Sequence, residues 1–337
     1  MSHNAAAEME DSEFVAFCYE RLLGRSPDSE GESVWLQNLR DGLPREQFIF
    51  ALLDSAEYRR RGTTEPYPPG HFYSALPSPE DVESYIQQPM QEDLPGIDLR
   101  VDAQLQLLAE LARYAQEIPF PDRQGAGRFY FENPSYSYGD ATTLYCFLRH
   151  FQPQRVVEVG SGFSSALMLD TNDSALGGRV EFSFVEPYPQ LLYSLFQPAD
   201  RARYPVREAR LQDVDLAVFR ELQAGDFLFI DSTHVAKLGS DVNRLFFHIL
   251  PAINPGVFVH IHDIFWPFEY RKDWLREGRA WNEAYLLRAF LEMNPSFEIV
   301  WFQDYLAYRH RDAFLRAFPR SHLNFGGNIW LRRVGAG

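Results

Sequence analysis

Cysteine is almost absent: Cys18 and Cys146 are the two in 337 residues. They stand far apart and outside any Cys-x-x-Cys, which excludes a disulfide framework and a cysteine-based zinc site. No apolar stretch approaches the ~20 residues that a bilayer-spanning helix needs. The opening segment, Met1 to Asp11, is acidic and lacks an apolar core, so no signal peptide is expected. Positive charge is scarce: 32 Lys and Arg face 47 Asp and Glu, a formal net charge of −15. Nucleic-acid and anionic-membrane binders carry a basic face, so neither partner is expected. Internal repeats and low-complexity tracts are missing. These absences predict a reduced, cytoplasmic protein.

What is present can build a core. Apolar residues make up 45% of the chain and aromatics 15%, which suits a folded enzyme of about two domains. Residues 11–62 read as a small all-α domain. Phe14, Phe17, Cys18 and Leu22 fall at helical spacing and Gly24 stops the run. A second helix over Glu32 to Arg40 offers Val34, Trp35 and Leu39. A third opens near Pro44, buries Phe48 and Leu52, and ends at Arg59-Arg60-Arg61-Gly62. This stretch resembles a small bacterial domain family of undefined role related to phycobilisome linker domains. The likeness rests on Leu22-Leu23-Gly24-Arg25, Pro27-Asp28, Gly31, Trp35 and Ser55-Ala56-Glu57-Tyr58. It implies a docking or assembly module, hence a protein partner, and offers no catalytic chemistry. A cap that merely stabilises its neighbour is the plain alternative.

Residues 63–97 hold Pro66, Pro68, Pro69, Pro77 and Pro79 and read as a stiff linker. Residues 98–152 read as a helical lid or cap. Asp98 should cap a helix whose apolar stripe is Val101, Leu105, Leu108, Ala112 and Ala115. From residue 153 to 335 short apolar runs alternate with helical segments, the pattern of a doubly wound, mostly parallel sheet. Seven strands are expected: Arg155–Val159, Val180–Val185, Val206–Leu211, Phe227–Asp231, Val257–His262, Phe297–Phe302 and Asn328–Arg333. The last two lack a clean helix between them and should pair antiparallel.

The decamer Val156-Val157-Glu158-Val159-Gly160-Ser161-Gly162-Phe163-Ser164-Ser165 runs from a strand through two glycines into a helix. Gly160 allows a tight turn and Gly162 a close backbone approach to a ligand. The third glycine of the dinucleotide fingerprint is missing, for Ser165 stands there. Glu158 would repel a pyrophosphate but would pair with an amino-acid ammonium group. Glu186 ends the second strand, close to where an acid meets ribose hydroxyls. These features resemble class I S-adenosylmethionine (SAM)-dependent methyltransferases with their Rossmann-like fold. Glu158, Gly160 and Gly162 match the first motif, Glu186 the acid after strand two, and Asp231 the acid of strand four. The resemblance implies SAM as cofactor, held by Glu158, Gly160, Ser161, Gly162, Ser164 and Glu186. It also implies an adenine contact after strand three, where Asp213 is the expected residue, with a helix N-cap as its alternative role.

Asp231 and His234 follow strand four, and His260-Ile261-His262-Asp263 ends strand five. Alternation puts His260 and His262 on one face. Ionisable groups crowding neighbouring strand ends suit acid–base work or metal binding. His260 is expected to be hydrogen-bonded in the core. Methyl transfer to a hydroxyl needs a base, and His234 suits that task. The pattern is similar to metal-dependent sugar O-methyltransferases and the cephalosporin-hydroxylase-like group. Asp231-Ser232-Thr233-His234 matches their Asp-x-x-His, and His262-Asp263 stands where Glu-Asp is usual. This resemblance implies Asp231, His262 and Asp263 as ligands of Mg²⁺ or another divalent metal, with His234 and Asp231 catalytic. The expected function is O-methylation of a small acceptor such as a sugar or glycosylated metabolite. A metal-free or N-methylating enzyme and a non-catalytic SAM-binding scaffold are the alternatives, and a homo-oligomer is compatible with each.

Overall fold

The computed structural model describes residues 9–53, 55, 57–58, 67 and 69–335 and, at Glu30 and Glu46, the backbone alone. The expected helix stop at Arg59–Gly62 and the linker residues Pro66 and Pro68 lie outside the described residues. The chain divides into two compact units, Met1–Tyr85 and Ile86–Gly337. No described helix is long and apolar enough to cross a membrane.

In the first unit a helix over Asp11–Cys18 runs into a π-helical turn over Tyr19–Leu23 and stops at Gly24, whose φ is +55°. The wider π turn shifts the inward face by one position. Leu23 is therefore buried and Leu22, expected inside, only partly covered; Phe17, ahead of the turn, is partly covered as well. Asp28 caps the next helix, Ser29–Arg40, by accepting from Gly31 N at 2.8 Å. The helix Arg45–Leu53 closes the core with Phe48 and Leu52, and Trp35 meets the Phe48 ring edge-on at 4.9 Å. Val34 faces solvent instead of packing. Arg25 holds Glu57 through two hydrogen bonds of 2.6 and 2.8 Å.

In the second unit the helix Val101–Ala115 buries Gln104, Leu107, Leu108 and Leu111, a face rotated from the expected stripe. Asp98 does not cap it. Its carboxylate accepts from Arg100 N, and Arg100, at φ +52°, occupies the cap position. This helix packs on the helix Tyr138–Phe151, on Arg311–Ala317 and on the sheet, as a packing element.

The seven strands are β1 (Arg155–Val159), β2 (Glu181–Val185), β3 (Val206–Arg207), β4 (Phe227–Ile230), β5 (Phe258–His262), β6 (Phe297–Phe302) and β7 (Asn328–Arg333). Their order is β3-β2-β1-β4-β5-β7-β6, and β7 alone runs against its neighbours. The sheet is thus doubly wound, with one reversed strand as expected. β3 is two residues long, shorter than expected. It is an edge strand paired only at Val206 and Arg207, and a turn bond from Ala209 N to Arg207 O ends it. The helices Gln303–Arg309 and Arg311–Ala317 separate β6 from β7, where no helix was expected. Strand order reverses between β1 and β4, and in open α/β sheets the carboxyl ends of the strands at such a point are where ligands bind.

Candidate active site

The turn after β1 closes directly on the end of β4. Gly160 has φ +78°, and a Cβ there would lie 1.6 Å from the Asp231 carbonyl oxygen, so any side chain would overlap backbone. Asp231 N donates to Val159 O at 2.9 Å, which locks the two strand ends together. Beneath the turn lies Glu158, fully buried. Ser164 and Ser165, in the first turn of the helix Phe163–Ala175, donate to its two oxygens at 2.6 and 2.5 Å. Ser165 Oγ in turn accepts from Gly162 N at 3.0 Å. Burial lifts the Glu158 carboxyl to about 8, and the two hydroxyls only partly offset it. Ser161 Oγ is buried with no hydrogen-bond partner. Glu186 draws the loops after β1 and β2 together, accepting from Ser161 N at 3.0 Å and Tyr188 N at 2.8 Å. Asp213 is not brought to the turn. It is exposed and paired with Arg210 at 2.8 Å, while its neighbour Gln212 donates to Gly239 O at 2.7 Å.

Beyond β4, His234 is buried and its backbone is left-handed, at φ +59°. Asp263, just past β5, is left-handed too, at φ +55°. Such conformations cost about 1 kcal/mol each for residues other than glycine, and they concentrate at functional sites. Three carboxylates surround the His234 ring. Nδ1 is 2.9 Å from Glu283 Oε2, and Nε2 is 3.5 Å from Asp231 and 3.8 Å from Asp263. Burial opposes charge on this ring, but Asp231 and Glu283 outweigh it and raise His234 to about 10. Burial would likewise raise Asp231, yet His262 and His234 bring it down to about 2. His262 Nε2 lies 3.6 Å from the other oxygen of Asp263. Trp281 leans on the His234 ring at 4.5 Å.

His260 and His262 share a face, their rings 5.8 Å apart. His260 is buried, stacked on Phe229 at 3.9 Å, but it is not hydrogen-bonded as expected: neither ring nitrogen has a partner. Burial and the neighbouring His262 push it well below its ordinary value, so it stays neutral and packs as an aromatic ring. Tyr136 meets His262 at 5.3 Å. Tyr138 instead stacks on Phe131 beside the Arg320 guanidinium. Asp140, raised to about 6 by burial, accepts from Asn328 Nδ2 at 2.6 Å and ties the start of β7 to this cluster.

Asp231, His262 and Asp263 do not make a metal cage. His234 Nε2 stands 3.5 Å from Asp231 and 3.8 Å from Asp263, and the second oxygen of Asp263 faces His262. Among the described residues no group of three His, Cys, Asp or Glu side chains is arranged to hold an ion. The His234 and His262 rings face these acids.

Glu283 is the site residue that sequence reasoning missed. It opens the helix Glu283–Leu291, where an acid is ordinary because it favours the helix dipole. Nothing local distinguishes it, and it lies 49 residues from its histidine.

Comparison with known proteins fits this geometry. Residues 157–264 match a family described as a methyltransferase domain. Residues 2–61 match a Domain of unknown function (DUF4214). An uncharacterized protein of Archaeoglobus fulgidus is 31% identical over 170 residues, covering 47% of this chain and 74% of that protein. The chain belongs to that protein's family, and its α/β unit, a Rossmann-like sheet, carries the match to a methyltransferase domain over residues 157–264. Among solved structures, an S-adenosylhomocysteine-bound methyltransferase of Podospora anserina is 14% identical. It covers 78% of this chain and 99% of its own, with a TM-score of 0.40. The O-methyltransferase TomG of Streptomyces achromogenes, solved with SAM, is 14% identical, covers 76% and 96%, and has a TM-score of 0.39.

Proposed function

We propose that this methyltransferase places the methyl of SAM on a hydroxyl of a small acceptor such as a sugar or glycosylated metabolite, with His234 as base and no metal. SAM supplies a methyl on a sulfonium, a leaving group that needs no acid. Gly160, Ser161 and Gly162 would hold it, and the unmet hydrogen bond of Ser161 Oγ fits a ligand at the turn. Glu158, uncharged in its buried place, gains a reason to ionise when an ammonium group arrives nearby. Glu186 stands at the end of β2 for the ribose.

The observation that carries the reading is adjacency. The Asp231 carbonyl touches the glycine turn, and three residues on His234 turns Nε2 between Asp231 and Asp263. A hydroxyl placed beside Nε2 presents its one proton there, and the two carboxylates stabilise the imidazolium that forms. The resting imidazole is charged near neutrality and must give up that proton first, so turnover rises with pH towards ten. The test is incubation of the full chain with SAM and pools of glycosides, alcohols and amines, scanning for one added methyl by mass. O-methyl products formed equally well in EDTA are expected. Products on amines alone, or activity lost in EDTA and restored by Mg²⁺, would contradict the proposal. The helical unit supplies none of these groups and is read as a docking module. Residues 86–337 made alone would keep methyl transfer, and its loss would count against that role.

A further inference from the structure

We propose that Glu283 is the positioning residue of the site: it grips His234 at Nδ1 and so turns Nε2 to the reaction edge. This rests on the reading of His234 as the base. A neutral imidazole has two tautomers, and its ring can flip, so a base histidine needs a partner that fixes both. Glu283 Oε2 accepts at 2.9 Å on the side of the ring away from Asp231 and Asp263. The segment around it also clamps the backbone. Asn282 N and Glu283 N both donate to His234 O, at 3.0 and 3.2 Å. Asn282 Oδ1 accepts from Ala236 N at 2.6 Å, and Trp281 covers the ring. These contacts together hold His234 in its left-handed backbone.

Glu283 is fully buried, and its second oxygen, Oε1, has no partner. A carboxylate serving only the dipole of its own helix would sit in water. Burial with a single partner is costly unless that partner is the point of the arrangement.

The test uses the full chain labelled with ¹⁵N-histidine, and methyl transfer to whichever hydroxyl acceptor the mass scan yields. A strongly hydrogen-bonded, downfield Nδ1 proton, assigned by its loss in His234→Ala, is expected in the wild type and absent in Glu283→Leu. Glu283→Gln keeps an acceptor oxygen and the shape of the side chain, so it guards against misfolding. It should fall between wild type and Glu283→Leu in rate. Glu283→Leu should lower kcat by about 100-fold or more while the KM for SAM moves less than about twofold. The double variant with His234→Ala should be no slower than His234→Ala alone. A downfield proton that survives in Glu283→Leu, or a double variant slower by the full factor, would overturn the proposal. Should His234→Ala keep full rate, the base reading fails by itself, and the resonance still reports on the grip.

Discussion

Glu158 and Glu283 are both fully buried glutamates, yet their partners differ in kind. Glu158 is held by two hydroxyls, Glu283 by an imidazole. Burial raises both carboxyls above their ordinary value. Hydroxyls cannot neutralise a charge, so Glu158 rests protonated near neutrality. An imidazole can, so Glu283 and His234 share one proton between a pair. The first acid is poised to ionise when a cation arrives. The second is spent on holding a side chain in place. Burial by itself does not set a carboxylate's role; the group facing it does.

The largest effect should come from breaking the charged pair. Glu283→Ala leaves the buried His234 ring without its partner at Nδ1 and should cost about 3–5 kcal/mol in urea unfolding. His234→Ala should cost a similar amount, and the double variant less than the sum, which a double-mutant cycle measures. His234→Ala should also slow methyl transfer by ~10²–10⁴-fold. Glu158 should show itself through pH. Its folded value of about 8 lies above its ordinary one of 4.5, so its contribution is full below 4.5 and is lost as pH rises through 8. Glu158→Gln should therefore gain on the wild type by up to ~1.4 kcal/mol per pH unit across that window. His234, raised from 6.5 to about 10, contributes stability that is full below 6.5 and lost as pH climbs through 10. The wild type should thus weaken in two steps, and His234→Ala should erase the later one. The smallest effect is Ser165→Ala, about 1 kcal/mol, which should also push the Glu158 titration higher. A Glu158→Gln variant that tracks the wild type at every pH would erase the contrast between the two acids.

The parts of the site legible in the sequence are those written in contiguous strings. Glu158-x-Gly160-x-Gly162 announces its turn because strand, turn and helix follow one another with no intervening choice. Asp231 and His234 are three residues apart, and β4 delivers both to the same edge. His262 and Asp263 follow from strand alternation. What was not legible depends on chain brought from elsewhere. Glu283 reaches His234 across 49 residues, and Asp140 reaches Asn328 across 188. The sequence makes Asp213 an adenine contact or a helix N-cap, and its pairing with Arg210, three residues earlier, could not be read from either role. β3 looked longer than it is because edge strands end where their single neighbour does.

The central claim is that the glycine turn between β1 and β4 holds SAM. Titration calorimetry of SAM and S-adenosylhomocysteine into the full chain tests it most directly, with Gly160→Ala as the paired variant. Single-site binding of both ligands, abolished when a Cβ is forced against the Asp231 carbonyl, is the expected result. No heat at millimolar SAM, with uptake of a dinucleotide in its place, would contradict the account.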